Sequence, residues 1–540
     1  MTPLFPILVL LLGAGVTATG LFVPRFRLLV LVPVGVAALA LAATLVLGLR
    51  LPAETVLSNW GADALYGGGL ALKTDRIAWT FSVAVLLLAL AAFLTGLSRP
   101  GGLRLGARTA SLMITAAALA AIQAQDLVTL AITWAVLDLA YFVSIVLLAR
   151  GEALEKQAVL SVGLNSAATF MAVAAALDTL HAGQIAFRIG QSPLTQNGTL
   201  FLLLAAVFRL GVFPFHLGLP VQANIRQGLG ALLKLAPAAV ALSLLAHLGD
   251  LESALPLKPW LSAAAAIGLL VGAVQWWQAA DPRQGLAFVV LAQSSLAVLV
   301  ALWGGPAAGA GVLAFGLSLL LGGGVLFLYN GYSETERRWV AAPFVATLAL
   351  VGLPATVGFV AAFALYGGLV ASGSWVLLAV CLVGQWLVAA SCLRVAWWPG
   401  EPLPQGEPLA QVAYLFGLAL PLTFAVISGL GPMFSGALAG LAVPSMLSAA
   451  ALPALLAGAV AALAGFGLWR YENLVRAPGE SAWAAITSVA RLDWLYFAFW
   501  EVYRFIGRTL RTTAGIIEGE GGVLWTLVAA LLVWLLFRSR

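Results

Sequence analysis

The 540-residue chain is 62% hydrophobic and only 9% charged, with a formal net charge of +6 at neutral pH. A soluble domain cannot hide that much apolar side chain, because its surface must be polar enough to face water. The composition therefore excludes a soluble enzyme. Basic residues that orient membrane helices explain the positive charge, so no nucleic-acid partner is expected.

Apolar stretches recur from one end of the chain to the other, each close to the ~20 residues that span hydrocarbon as a helix. The first, Pro3–Val23, has no basic run before it and no small-residue cleavage site after it, so we expect a retained helix. The pattern predicts an all-α polytopic membrane protein with about sixteen transmembrane helices. These spans begin near residues 3, 28, 76, 107, 127, 157, 198, 228, 259, 284, 308, 341, 373, 410, 449 and 522.

Basic residues concentrate in the loops on one side of the predicted bundle. With the N-terminus outside, the inside loops hold Arg25, Arg27, Arg99, Arg104, Arg108, Arg150, Lys156, Arg226, Arg283, Arg337, Arg338, Arg470 and Arg476. The outside loops hold little beyond Arg50, Lys73, Arg76, Arg188 and Lys258. Because cytoplasmic loops carry the excess of Lys and Arg, this asymmetry predicts an N-terminus outside the cytoplasmic membrane.

Three ionisable residues lie at predicted bilayer depth, where charge is costly and indicates function by default. Asp138 lies well inside its span, Arg209 lies just before an interruption of its span, and Lys234 lies in the span that follows. Together they predict a polar ion pathway through the bundle. The alternative is that each reaches an interface or forms a structural ion pair.

The chemistry of these side chains divides their roles. A guanidinium stays protonated in proteins, so Arg209 could fix the potential, hold Asp138 ionised and organise water. Asp138 and Lys234 could accept and release protons.

Two predicted spans are interrupted by proline and glycine in comparable ways. Proline removes a backbone donor and frees carbonyls that lipid cannot satisfy, so such breaks must face protein or a wet cavity. A matched pair of breaks about five spans apart predicts two inverted five-helix repeats with the ion site at the breaks. For either break alone, a simple proline kink is the alternative. The residues that mark the breaks are Pro214, Pro220, Gly352, Pro354 and Gly358.

The segment from Ser481 to about Ile517 is too polar to span a membrane and too apolar to remain free in water. It predicts an amphipathic lateral helix along the membrane surface, followed by a last span at Val523–Phe537. The predicted organisation is N-terminal helices at 1–106, a core with the repeats at 107–400, C-terminal helices at 401–480, the lateral helix at 481–518 and a terminal helix at 519–540.

The motifs around the charged residues resemble those of the proton-conducting antiporter family shared by respiratory complex I, membrane-bound hydrogenases and Mrp cation/proton antiporters. The resemblance runs from about residue 70 to 400. Arg209 to Pro220 resembles the family's Lys-Ser-Ala-x-x-Pro-x-x-x-Trp-Leu-Pro motif, and Lys234 falls on the basic position of the next helix. The other matching residues are Trp134, Asp281, Arg283, Leu286, Ala287, Phe288, Gln293, Leu353, Pro354, Gly358 and Phe359.

Three positions depart from the family pattern. Ala135 stands where the family has a glutamate, and Asp138, three residues on, is expected to substitute for it from roughly the same helix face. Gly323 replaces the family's central lysine, and Ala362 replaces the lysine or glutamate of the second broken helix. The resemblance therefore implies that only the entry half of the pathway keeps its charge.

The resemblance implies an antiporter-like membrane-arm subunit of a complex I-like or hydrogenase-like redox complex in a bacterial or archaeal cytoplasmic membrane. The subunit would take part in proton or cation translocation with a degenerate exit-side relay. It would be a non-redox subunit without catalytic, cofactor-binding or metal-binding residues, and quinone, flavin or iron–sulfur clusters would belong to partner subunits. The alternatives are an Mrp-type cation/proton antiporter, the membrane subunit of an inorganic-carbon uptake complex, and a non-conducting scaffold.

Overall fold

A computed structural model describes most of the chain. It covers residues 2–20, 30–58, 69–98, 105–148, 152–182, 188–190, 194–216, 228–249, 257–400, 407–443, 448–476, 493–518, 526–531 and 534. The chain divides into two compact units, Met1–Pro478 and Gly479–Arg540. The finer division into five segments stays a prediction.

The first unit is built mainly from helices. In chain order they are α1 (Leu4–Thr19), α2 (Val32–Leu47), α3 (Arg76–Leu97), α4 (Leu105–Ile122), α5 (Leu127–Leu148), α6 (Glu152–His181), α7 (Gln196–Leu210), α8 (Leu229–Leu248), α9 (Lys258–Gln278), α10 (Ala287–Trp303), α11 (Ala308–Leu317), α12 (Gly324–Leu328), α13 (Ala341–Val351), α14 (Val357–Ala371), α15 (Trp375–Trp397), α16 (Pro408–Ser435) and α17 (Leu452–Arg470). A π-helical segment, Ser318–Gly323, joins α11 to α12 without a break.

Twelve of the described helical segments are long and apolar enough to cross a membrane, and four shorter apolar helices accompany them. The all-α polytopic architecture predicted from composition is confirmed. The total of about sixteen spans and the inverted repeats stay predictions.

The sequence did not predict a β-hairpin between α2 and α3. Its strands, β1 (Ala53–Ser58) and β2 (Leu70–Thr74), pair antiparallel. The Lys73 backbone N–H donates to the Gln123 carbonyl at 2.7 Å, so the hairpin lies against the turn between α4 and α5. A second, minimal hairpin joins β3 (Ala437–Leu438) to β4 (Leu441–Ala442).

One basic residue lies elsewhere than predicted. Arg108 was placed in a loop, but it lies in the first turn of α4 and is buried. Its guanidinium donates to the Val30 carbonyl, which lies just before α2. This contact gives the buried charge a polar partner that apolar packing could not supply.

Helix α8 forms the centre of the bundle. It packs against α3, α4, α7, α10 and α11, and its residues are buried through nearly its whole length. Lys234 is buried on this helix, so its amine lies in the protein interior, and its place in an ion pathway stays a prediction.

Both predicted breaks end a helix on a glycine with positive φ. Helix α7 stops at Gly211 (φ 61°), and α13 stops at Gly352 (φ 82°). A Cβ on Gly358, in the first turn of α14, would lie 1.8 Å from the Ala349 carbonyl oxygen. Only glycine permits that approach of the two half-helices. Pro214 lies in the described part of the first break, whereas Pro220 lies outside the described residues.

The second unit contains α18 (Asp493–Glu518). Phe497, Val502, Phe505, Ile506 and Leu510 expose large apolar side chains along it. Arg504 and Arg508 both pair with Glu501 on the same helix, at 3.1 and 3.7 Å. The helix is strongly amphipathic, as predicted, and its position on a membrane surface stays a prediction. Residues 481–492 and most of the predicted last span lie outside the described residues.

Two alanine substitutions in α14 test the close approach at the second break. Gly358→Ala should destabilise the chain by about 1–3 kcal/mol, because the methyl group overpacks the Ala349 carbonyl. Gly367→Ala, where no atom lies within 4 Å of an added Cβ, is the matched control. It should gain about 0.5–1 kcal/mol of helix propensity. Thermal unfolding in detergent compares them, and equal melting temperatures would contradict the described packing.

Candidate functional site

The structure brings Asp138 and Arg209 together in the interior. Arg209 Nη2 lies 2.8 Å from Asp138 Oδ2, and the Arg209 side chain is fully inaccessible to solvent. The Arg209 guanidinium also lies over the Trp134 ring, 4.2 Å from its centroid. A buried ion pair needs such additional contacts, because desolvation costs several kcal/mol per ion. Asp138 and Arg209 are therefore paired as expected, and Asp138 lies one helical turn after Trp134.

The environments of Ala135 and Asp138 differ from expectation. Ala135 is exposed on the surface of the chain, whereas Trp134 and Asp138 are buried. A three-residue step leaves side chains about 60° apart around a helix, which here is enough to separate the buried face from the exposed one. Asp138 thus reaches Arg209 from an interior position that Ala135 does not share.

Helix α6 contributes a polar stripe that the sequence analysis missed. Ser161, Asn165 and Thr169 recur at four-residue spacing and so share one face of the helix. The Thr169 hydroxyl lies 3.5 Å from both Asp138 Oδ2 and Arg209 Nη2. The four-residue spacing could have predicted this polar face. It is a weak indication of a site, because small polar residues in helices often bond only their own backbone, as Thr169 does to the Asn165 carbonyl at 3.2 Å.

A small cavity is lined by both Arg209 of the ion pair and Lys234. Its volume is about 30 Å³, enough for about one or two water molecules by size. Its polar lining comes from Tyr141, Ser161, Asn165, Arg209 and Lys234. Polar walls of this kind favour water over an empty void.

Lys234 occupies the wall of this cavity on α8. Its ammonium lies 5.2 Å from the centroid of the Phe327 ring on α12. Pro237, which also lines the cavity, cannot donate the helical hydrogen bond to the Leu233 carbonyl.

The second break has the broken-helix backbone that the resemblance implied, but it lacks the charged side chains that the family has there. A Cβ on Gly352 would lie 2.8 Å from the Ala362 methyl group, so Ala362 lies at the break. Gly323 ends the π-helical segment, and the atom nearest to an added Cβ belongs to Leu319. Residues 284–333 and 339–393 contain no Asp, Glu, Lys, Arg or His. Neither segment therefore carries a charged side chain, and the degenerate exit-side relay stays a prediction.

A partly buried acid–imidazole pair lies at the other end of α8. His247 Nε2 lies 2.9 Å from Asp75 Oδ2, and the two residues are 172 positions apart in sequence. Burial alone would raise the pKa of Asp75, but hydrogen bonds from His247 and the Ala78 backbone N–H, with the Lys73 charge, lower it to about 2. The sequence analysis did not predict this pair, because no local motif connects its members.

No cluster of three or more His, Cys, Asp or Glu side chains arranged to hold a metal occurs within the described ranges. What the site offers chemically is a fixed cation, an acid, an amine and room for water. Such a set can hold and move protons.

No protein-family model matches the chain. It is similar to NADH-quinone oxidoreductase subunit N of Desulforudis audaxviator, with 28% identity over 279 residues, 45% of this chain and 55% of the relative. It is also similar to subunit N of Rhodopseudomonas palustris, with 30% identity over 220 residues, 36% of this chain and 46% of the relative. The chain thus spans about half the length of the curated relatives it matches.

Solved structures share the fold over more of the chain. A chain of the Mrp complex from a Dietzia species matches 98% of this chain and 62% of its own length, with a TM-score of 0.77 and 19% identity. A chain of the archaeal membrane-bound sulfane sulfur reductase matches 98% of this chain and 99% of its own length, with a TM-score of 0.69 and 18% identity.

Thermus thermophilus respiratory complex I adds a third match, covering 85% of this chain and 100% of that one, with a TM-score of 0.66 and 20% identity. The chain shares the fold of chains from these three membrane complexes. At these identities the structures establish the fold of the antiporter-like subunits, and the roles of individual residues rest on the geometry of this chain.

The buried pair can be tested through stability. Asp138→Ala should destabilise the protein by about 3–5 kcal/mol, because it leaves the Arg209 charge buried and unpaired. The double variant Asp138→Ala with Arg209→Met should recover much of that loss. Asp281→Ala, which breaks a partly exposed pair with Arg283 at 3.3 Å, is the control and should cost at most about 1 kcal/mol. Thermal unfolding in detergent measures all three, and a double variant less stable than Asp138→Ala would refute the unpaired-charge account.

Proposed function

We propose that this chain is a membrane-arm subunit of a multi-subunit redox complex of the complex I or hydrogenase type, and that it takes part in proton or cation translocation. The complex would lie in a bacterial or archaeal cytoplasmic membrane, with the N-terminus of this chain outside. Redox groups such as quinone, flavin or iron–sulfur clusters would belong to its partner subunits. The observation that carries the proposal is the buried Asp138–Arg209 pair, whose arginine lines the same cavity as Lys234.

In this proposal Lys234 is the proton-carrying group of the entry half. Its amine can release a proton to cavity water and take up another, whereas Arg209 keeps its charge throughout. Two unit charges about 4 Å apart interact by about 4 kcal/mol at an effective dielectric constant of about 20, and the interaction weakens with distance. A change in the distance between Asp138 and Arg209 therefore alters the proton affinity of Lys234. Proton movement and the state of the ion pair are coupled in this way.

An Mrp-type cation/proton antiporter, or the membrane subunit of an inorganic-carbon uptake complex, is the second candidate function. The match to the Mrp complex favours it by fold, while the sequence relatives are subunits of NADH-quinone oxidoreductase. Copurification from native membranes separates these functions. Quinone- or hydrogen-linked subunits attached to the chain support the redox complex, and their absence counts against it.

A non-conducting scaffold is favoured by one specific observation, the uncharged exit half that includes Gly323 and Ala362. The variant Gly323→Lys with Ala362→Glu restores both groups of the resembled relay. In a scaffold with a blocked exit, proton flux in proteoliposomes should rise from background in this variant. In a conducting subunit, flux is already well above background without it.

Proton flux of the complex, reconstituted with its partner subunits, tests the leading proposal. Lys234→Ala and Asp138→Asn should each lower flux at least tenfold. The first variant removes the proton carrier, and the second removes the carboxylate charge that pairs with Arg209. Lys258→Ala is the matched control, since Lys258 also lies over an aromatic ring, 4.0 Å from the Trp303 centroid, yet lies outside the cavity. High flux in assembled Lys234→Ala and Asp138→Asn complexes would overturn the proposed pathway.

A further inference from the structure

The second break leaves the last carbonyls of α13 without helical donors, as at any helix end. The Leu348 carbonyl accepts from the Leu353 backbone N–H at 3.0 Å. The Ala349 carbonyl accepts from the Ser318 hydroxyl in the π-helical segment at 2.7 Å. The Leu350 carbonyl is approached by two side-chain carboxamides, Gln293 Nε2 at 3.3 Å and Gln385 Nε2 at 3.5 Å.

These two carboxamides are incompletely satisfied. Gln293 is 1% exposed and Gln385 is 2% exposed, and the Oε1 atom of each has no hydrogen-bond partner among the described residues. A buried acceptor left unsatisfied costs about 1–3 kcal/mol. Turning either amide over would instead bring its oxygen against the Leu350 carbonyl and leave its NH₂ group unsatisfied. The break needs a further ligand in either orientation.

Water is the ligand whose donors and acceptors match these groups. It donates to carboxamide oxygens and also accepts from NH₂ groups, so it satisfies either orientation of Gln293 and Gln385. A bare cation is disfavoured, because residues 284–333 and 339–393 supply no carboxylate to balance its charge at bilayer depth.

Helix α10 connects this break to the cavity beside Lys234. Val290 on α10 lines that cavity, and Gln293 follows three residues later. Side chains three residues apart on a helix are neighbours, with Cβ atoms about 5–6 Å apart. Gln293 therefore stands one turn from the cavity wall and reaches the second broken helix across the gap between the two halves.

We propose that Gln293 and Gln385 form an uncharged water-binding site at the second break, and that this site extends the proton path from Lys234 into the exit half. The inference rests on the proposed function and names its exit-side residues. An excess proton forms an O–H bond on one water while that water releases another proton to the next. No carboxamide is protonated permanently and nothing is oxidised or reduced. Gln293 and Gln385 are positioning residues that hold the water.

The test uses the complex reconstituted with its partner subunits. Gln293→Leu and Gln385→Leu should each lower proton flux at least fivefold, and Gln293→Asn, which keeps a carboxamide, should retain more flux than Gln293→Leu. Gln123→Leu is the matched control, because Gln123 is also fully buried with an unpartnered Oε1 and lies in the turn after α4. Its flux should stay within twofold of the unmodified complex.

The outcomes separate this inference from the proposed function. Flux abolished by Lys234→Ala but unchanged in assembled Gln293→Leu and Gln385→Leu complexes would overturn the water site and leave the proposed function standing. Flux unchanged by all of these variants would overturn both. A sodium-specific rise in melting temperature that Gln293→Leu removes would replace water with a cation as the ligand, and would overturn the inference.

An experimental density map at a resolution that shows ordered water tests the site directly in the unmodified complex, without any variant. Water within hydrogen-bond distance of both the Gln293 and Gln385 carboxamides is the expected result. A dry break at this position would overturn the inference.

Discussion

The ion pair between Asp138 and Arg209 is the interaction on which the packing of α5, α6 and α7 around the site depends. Neither charge could stay at this depth alone, since removing one partner of a buried pair costs about 3–5 kcal/mol. Three helices supply what the pair needs: α5 provides Asp138 and the Trp134 ring, α6 provides the Thr169 hydroxyl, and α7 provides Arg209 just before its break. The requirement to satisfy one buried cation thus fixes how these helices face one another.

The two broken helices solve the same backbone problem by different means. Each ends on a glycine with positive φ and leaves carbonyls that lipid cannot satisfy. At the first break the surroundings are charged, with Arg209 and Lys234 around a cavity of about 30 Å³. At the second break the surroundings are neutral, and Ser318, Gln293 and Gln385 donate to the freed carbonyls. The bundle is therefore asymmetric in charge while its two breaks remain similar in backbone geometry.

Much of this architecture could be predicted from the sequence because membrane constraints are strong and local. Long apolar stretches predict helices, proline and glycine mark the breaks, and a charge such as Asp138 inside an apolar span demands a partner. The partners themselves were harder to predict. The polar stripe of α6 was missed because Ser, Asn and Thr are common in apolar helices, where they bond their own backbone.

Contacts between residues distant in sequence account for the other differences. His247 and Asp75 are 172 positions apart in sequence, and the strands of the β1–β2 hairpin pair across a long connection. Arg108 can be buried because the Val30 carbonyl, just before α2, accepts a hydrogen bond from it. The π-helical segment Ser318–Gly323 likewise follows from packing against α13, since no residue within it imposes a five-residue hydrogen-bond repeat. Tertiary packing decides these features, and local pattern does not encode it.

The most direct test of the account is proton flux through the reconstituted complex that carries Arg209→Met. Methionine keeps an unbranched side chain of comparable reach but removes the charge that pairs with Asp138. The account predicts that flux falls at least tenfold while Arg209→Lys, which keeps a cation, retains a larger share. Undiminished flux in a fully assembled Arg209→Met complex would contradict the claim that this ion pair organises the pathway.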